Sequence, residues 1–408
     1  MQAYSWKLNL FVLWIGAFFI SMSFSISIPF LPIFLQDQLG IHDHLELWSG
    51  AVFSVSFLAS AFVSPFWGSL ADKYGRKPML IRAATCLTII YSLYYFVQNP
   101  YQLVALRILE GLLAGYIPAA VALVATNTPE KKVGYALGIM STAMATGSII
   151  GPLIGGFVSH LIGNREAFLF SSCMSLMALI TAWIWVKEGE INKSSARTNV
   201  LGDLKLVFSN RSLLFIIITT FVVHTSVMII EPLLTIYVIQ LGASSGNASL
   251  SSGIIFSAVG LATLIAAPRW GKFGGTYGYD KILFIGLVGG GLGNLLQIAF
   301  HDLIGFGSLR FIYGLFFAAV FPAISSLIVQ FTDTSFRGRA FGLNQSAMQM
   351  GTMVGPMLGG LLASVVPIPY VFLINSLLIL AIAVVVKVLK VGQGVRANNE
   401  IVKTETTL

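Results

Sequence analysis

Five ionisable side chains lie inside stretches of this chain that are otherwise apolar: Arg107, Glu110, His224, Glu231 and Arg310. Burying a charge among apolar groups is costly, so such residues mark function before they mark packing. A carboxyl held in low dielectric resists ionisation and becomes a reversible proton carrier. Ionised, it attracts a cation; protonated, it lets that cation go. Glu231 is the first candidate for this exchange and Glu110 the second. Arg107 and Glu110 are three residues apart on one helical face, so Arg107 either tunes Glu110 or spends its charge in an internal ion pair. His224 and Glu231 are seven apart, two turns along one face. His224 is a further proton-coupling candidate, with a packed core histidine as the alternative. Glu231 precedes Pro232, which weakens the helix locally.

The elements that must hold these residues are membrane spans. Only 10% of the 408 residues are charged and 56% are hydrophobic, with mean hydropathy +0.85. A soluble domain carries about 25% charged residues. Twelve apolar segments long enough to cross a bilayer fall near 8–35, 47–69, 79–98, 101–124, 135–160, 166–187, 212–239, 250–271, 281–300, 304–329, 340–363 and 368–390. Backbone in lipid must satisfy its own hydrogen bonds, so these are helices; the short alternating strands of a barrel are absent. The first segment is too long for a signal peptide and lacks a small-residue cleavage site.

Short motifs occur twice, about 203 residues apart. Gly68-Ser-Leu-Ala-Asp72-Lys-Tyr-Gly75-Arg76-Lys77 returns as Gly271 to Asp280, Arg107-x-x-Glu110-Gly111 as Arg310-x-x-Tyr313-Gly314, and Gly147-x3-Gly151-Pro152-x2-Gly155-Gly156 as Gly351 to Gly360. At the same register Ile28 aligns with Glu231. The reading is an all-α membrane protein of twelve helices in two pseudo-symmetric six-helix bundles. Residues 1–187 form the first bundle, 188–211 a polar cytoplasmic linker with a short surface helix near Asp203 to Phe208, 212–390 the second bundle and 391–408 a cytoplasmic tail. Two homologous bundles suit a machine that opens one central site to either side in turn.

The motif at 68–77 is expected in the loop between spans two and three. Gly68 and Gly75 allow a tight turn. Asp72 can face the positive end of a neighbouring helix, and Lys73, Arg76 and Lys77 can pair with carboxylates such as Glu130. The second copy replaces Asp72 with Gly275 and Arg76 with Tyr279, so a latch would be strong only in the first half. Glycines 147, 151 and 155 pave one face of span five, and Pro152 removes a backbone donor there. With Gly156 they read as a close-packed hinge.

The net charge of +8 invites a nucleic-acid partner, and its distribution excludes one. All but Arg107, Arg165 and Arg310 of the 24 Lys and Arg fall in the termini or in the loops after even-numbered spans; Arg82 counts among these loop cations. The positive-inside rule then places both termini in the cytoplasm. His42 and His44 beside Asp37, Asp43 and Glu46 read as a solvated acidic loop, and no metal is expected. Cys86 and Cys173 read as small apolar residues.

Taken together, Gly68 to Lys77, Arg107 with Gly111, and Gly147 to Gly156 resemble the signature motifs of the major facilitator superfamily. The Gly-Pro motif is similar to that of its twelve-span drug:proton antiporters. Trp6-Lys7-x-Asn9-Leu10 and Ser64-Pro65-x-Trp67-Gly68 resemble the MdtG- and PmrA-type multidrug exporters. The resemblance implies a rocker-switch fold in a cytoplasmic (inner or plasma) membrane, proton-coupled export of lipophilic drugs, and a role in antibiotic resistance. It implies that spans one, four, seven and ten line the cavity and that Asp72 latches the cytoplasmic side. It implies a monomer in membrane lipid, with the proton as coupling ion and no cofactor. Phe30, Phe34, Tyr116, Tyr237, Tyr313 and Phe317 lie in the lining spans and are candidates for contact with flat or cationic drugs. The alternatives are an importer or facilitator of a small metabolite and, from another class, a membrane receptor. No nucleotide loop, metal cluster or nucleophile constellation suggests an enzyme.

Overall fold

The computed structural model describes residues 6–129, 132–188, 210–244, 246–332 and 336–388, and among these every regular element is helical. The twelve spans are all present. Ten are apolar enough along their length to be recognised by hydropathy alone. The other two are diluted, Arg76–Tyr94 by a polar first turn and Arg337–Val365 by Asn344, Gln345, Gln349 and its glycines as well. Glu130, the linker from 189 to 209 and the tail from 391 lie outside the described residues, as does the side chain of Asp72.

Several helices run past the limits that hydropathy sets. Span two is one helix from Leu45 to Tyr74. The motif at 68–77 is therefore not a loop: Gly68 to Tyr74 is helical, and the connection shrinks to Gly75. Gly75 holds φ 99°, a conformation that glycine adopts without strain. The second copy repeats the device, with Gly278 at φ 100° between Ala248–Tyr277 and Tyr279–Leu296.

Three cavity-set spans are interrupted. Span one is helical over Trp6–Ser25, turns through Pro29, and resumes as the short helix Leu31–Ile33 and a wider turn over Phe34–Gln38. Span four divides into Pro100–Leu113 and Tyr116–Asn127, and span ten into Leu303–Phe317 and Val320–Phe331. Both begin with matching caps. The Asn99 side chain accepts from Gln102 N–H at 3.0 Å, and Asp302 accepts from Gly305 N–H at 2.7 Å.

The chain packs as two compact units. One comprises Met1–Ala196 with Glu231–Ser257, the other Arg197–Ile230 with Ala258–Leu408. The last part of span seven, the connection after it and the start of span eight pack with the first unit. Thr235 donates to Pro29 O at 3.0 Å and Ser257 to Ile149 O at 2.7 Å. Gly156 and Gly253 are in direct backbone contact.

Glycine sets these approaches. A Cβ at Gly147 would stand 2.7 Å from Phe18 O, and one at Gly151 would stand 2.6 Å from Ser25 Cβ. Gly155 meets the Ile26 backbone even more closely. The glycine face of span five is thus seated on span one and follows its bend. In the second unit Gly351, Gly355 and Gly359 seat span eleven on Phe221, Thr225, Met228 and Ile229 in the same way. Small residues let backbones meet where no water drives them together.

Candidate functional site

The first unit has a buried charge cluster at its centre. Arg107 and Glu110 are 1% and 3% exposed. Arg107 Nη1 donates to Glu110 Oε2 at 2.9 Å. The same carboxylate accepts from Tyr91 OH at 3.0 Å and from Tyr94 OH at 2.5 Å. Arg107 Nη2 donates to Ser27 Oγ at 3.2 Å, on the turn of span one. Its guanidinium carbon stands 5.3 Å from the centre of the Tyr94 ring. Spans three and four thus meet on one carboxylate, and span one joins them through Arg107. Three donors, one of them charged, occupy it, so its charge is compensated where it stands. The ion pair that spacing offered as the alternative use of Glu110 is the arrangement observed.

Sequence reasoning missed Tyr91, Tyr94 and Ser27. The signal for the tyrosines was there: two hydroxyls one turn apart in an apolar helix need buried partners. In the second unit their repeat counterparts are Asn294 and Gln297, which are also buried, as is Arg310. There Tyr313 replaces Glu110, and Arg310 lies over its ring at 5.3 Å. The polar layer is duplicated, whereas its acid is not.

Glu231 is half-buried in span seven, in the helix Arg211–Gln240 that continues through Pro232. His224 belongs to the second unit and is half-buried. Its ring lies 5.0 Å from Phe321, and its Nε2 has no hydrogen-bond partner. From there a column of rings runs down span ten. Phe321 meets Phe317 at 5.9 Å, and Phe317 stacks on Tyr313 at 5.1 Å. Gly290 and Gly293 of span nine receive Phe317 and Tyr313.

The six aromatic residues expected to line a drug site are all buried in packing. Phe30 and Phe34 each pack edge-on against Phe168, and both are fully buried. Tyr116 fits against Gly16. Tyr237 is buried within the first unit, and Tyr313 and Phe317 within the core of the second. Partly exposed rings occur instead on span one. Trp14 and Phe18 are parallel, with centroids 5.8 Å apart, and Trp14 Nε1 donates to Thr142 at 2.9 Å.

The motif after span two ties three spans together at one end of the unit. Glu188 accepts from the backbone N–H of Arg76 at 2.6 Å and of Lys77 at 2.9 Å, completing the exposed start of span three. Arg76 Nη1 donates to Ala122 O at 2.5 Å and to Thr126 at 2.6 Å, and Lys77 Nζ donates to Trp183 O at 3.0 Å. Nearby, Asn9 exchanges hydrogen bonds with the Lys187 backbone in both directions. Glu188 looked like a linker residue by sequence; an acid just past one span, facing the bare start of another, was its signal.

The sequence profile described as the Major Facilitator Superfamily matches residues 13–261 and 216–404, the two halves in turn. The chain belongs to the major facilitator superfamily. Curated relatives include the multidrug resistance protein MdtG of Proteus mirabilis, 39% identical over 88% of this chain and 90% of the relative. MdtG of Yersinia enterocolitica is 38% identical over 93% of this chain and 92% of its own. Among solved structures, a bacterial homologue of the human lysosomal transporter Spinster superposes with TM-score 0.78 at 12% identity, covering 93% of this chain and 95% of that one. The nucleoside transporter NupG superposes with TM-score 0.75 at 15% identity, covering 94% and 99%. At such identities the structural likeness establishes the fold. This chain is a multi-pass membrane transporter of that superfamily.

Proposed function

We propose that this superfamily member exports lipophilic, often cationic drugs across a cytoplasmic membrane by alternating access, in exchange for protons, with both termini in the cytoplasm. The likeness to MdtG over nine-tenths of the chain carries this reading. In this reading two acids divide the labour. Glu110 is held by three donors and positions spans one, three and four. Glu231 is half-buried and carries the proton. A proton entering down its gradient gains about 2.3 kcal/mol per 100 mV, so one or two can drive a solute outward. Partly exposed Trp14 and Phe18 offer a flat face to a cationic drug. The Gly-Pro faces of spans five and eleven serve as hinges, and the Gly68–Lys77 motif with Asp72 latches the cytoplasmic end.

The test is dye transport by the purified protein in vesicles with an imposed pH gradient. Glu231→Gln is expected to fold but to lose gradient-driven transport. If that variant pumps dye against its gradient at the normal rate, Glu231 does not carry the proton.

A further inference from the structure

Span four is interrupted one turn beyond Glu110. The helix ends at Leu113, Ala114 is extended at ψ −176°, and Gly115 takes φ +125° before helix resumes at Tyr116. The break, together with Pro118, which has no N–H to offer Ala114 O, frees carbonyl groups that lipid cannot satisfy. Side chains satisfy two of them. Trp67 Nε1 donates to Leu112 O at 2.7 Å, and Arg82 Nη2 donates to Ala114 O at 2.9 Å. The Arg82 guanidinium stands over the Trp67 ring, 3.5 Å from its centre. Arg82 therefore does more than set topology: it is a half-buried residue of the span-three helix, aimed at the break.

The second half provides an internal control. Trp270 donates to Leu315 O at 2.7 Å, matching Trp67 and Leu112. The counterpart of Arg82, however, is Ile285, and that of Gly115 is Ala318. There the backbone stays right-handed, with Ala318 at φ −54°, ψ −20° and Ala319 at φ −72°, ψ −27°. The tryptophan is common to both halves. The arginine occurs only where the chain is fully broken.

We infer that Arg82 is a positioning residue that clasps span four open at Ala114–Gly115, and that its release from the Ala114 carbonyl lets span four move Arg107 and Glu110 between transport states. One donor of Arg82 is spent on the break, while its Nε and Nη1 are buried without acceptors. Buried unspent donors are costly, so this position is not the only one that suits the side chain. A re-formed turn would offer a different set of carbonyls to the same fork. The inference rests on the transport reading above.

The test compares wild type with Arg82→Lys, Arg82→Ile and the double variant Arg82→Ile with Gly115→Ala, which installs the second half's residues in the first. Full-length protein is assayed for dye affinity, melting temperature and gradient-driven turnover. Arg82→Lys is expected to lose about tenfold to a hundredfold in turnover with dye affinity held within about threefold. The double variant is expected to melt close to wild type and still transport slowly. Turnover of Arg82→Lys within about twofold of wild type overturns the clasp. So does a double variant that regains both stability and transport, because Arg82 would then be structural only. If Arg82→Ile does not fold, the other two variants decide. A wild type that ignores the gradient refutes the proton reading instead, and dye-exchange rates of the same variants then judge the clasp.

Discussion

Replacing Glu110 by Gln removes one charge from a cluster built around it. The carboxylate accepts three hydrogen bonds within 3.0 Å, one from Arg107, and both side chains of the pair are at most 5% exposed. The amide oxygen of Gln can replace some of these contacts, but its NH2 group would face donors. Arg107 would then be buried without its counter-charge. Breaking a buried pair from one side costs about 3–5 kcal/mol. Taking about 3 kcal/mol, the folding equilibrium shifts by roughly 150-fold. Removing both charges, as Arg107→Leu with Glu110→Leu, leaves no orphaned charge and should recover about 2 kcal/mol or more of that loss. The assay is reversible unfolding in mixed micelles of wild type, both single variants and the double. Gradient-driven dye transport by Glu110→Gln should survive at a reduced rate, in contrast to Glu231→Gln. The reasoning fails if Glu110→Gln costs under about 0.5 kcal/mol, or if the single losses simply add in the double variant.

Three further outcomes are expected. Gly151→Ala puts a methyl group where Ser25 Cβ would be 2.6 Å away, and thermal unfolding should report a loss of about 1–3 kcal/mol as span one is pushed off span five. Glu188→Gln weakens two hydrogen bonds at the start of span three and should lower stability by about 1 kcal/mol, with less effect in high salt; equal loss at all salt concentrations would argue against a dipole role. Asp72→Asn should slow turnover while leaving dye affinities unchanged, and unaltered turnover would remove the latch.

Span number, duplication and family were legible because they rest on composition and repeat spacing, which survive any packing detail. Arg107 with Glu110 was legible because two charges three residues apart in an apolar helix have to be explained. Tyr91, Tyr94 and Ser27 were not, because a hydroxyl costs little to place and its partner lies on another span. The aromatic candidates could be assigned to spans but not to faces, for a related reason. A span of known number still has several faces, and Phe30, Phe34, Tyr313 and Phe317 turned out to face Phe168 or the glycines of span nine. Helix ends were also misjudged. Gly68 read as a loop glycine, but it sits in a helix that runs on to Tyr74, and span eight likewise runs past Gly271 to Tyr277.

Gly75 and Gly278 each join two long helices through a single residue. A connection that short leaves no slack for the partners to reach the bilayer separately. Spans two and three, and likewise eight and nine, must therefore keep their adjoining ends together whatever the rest of each span does. Any epitope or protease site grafted at either joint would push those ends apart, so such labels belong elsewhere on the chain.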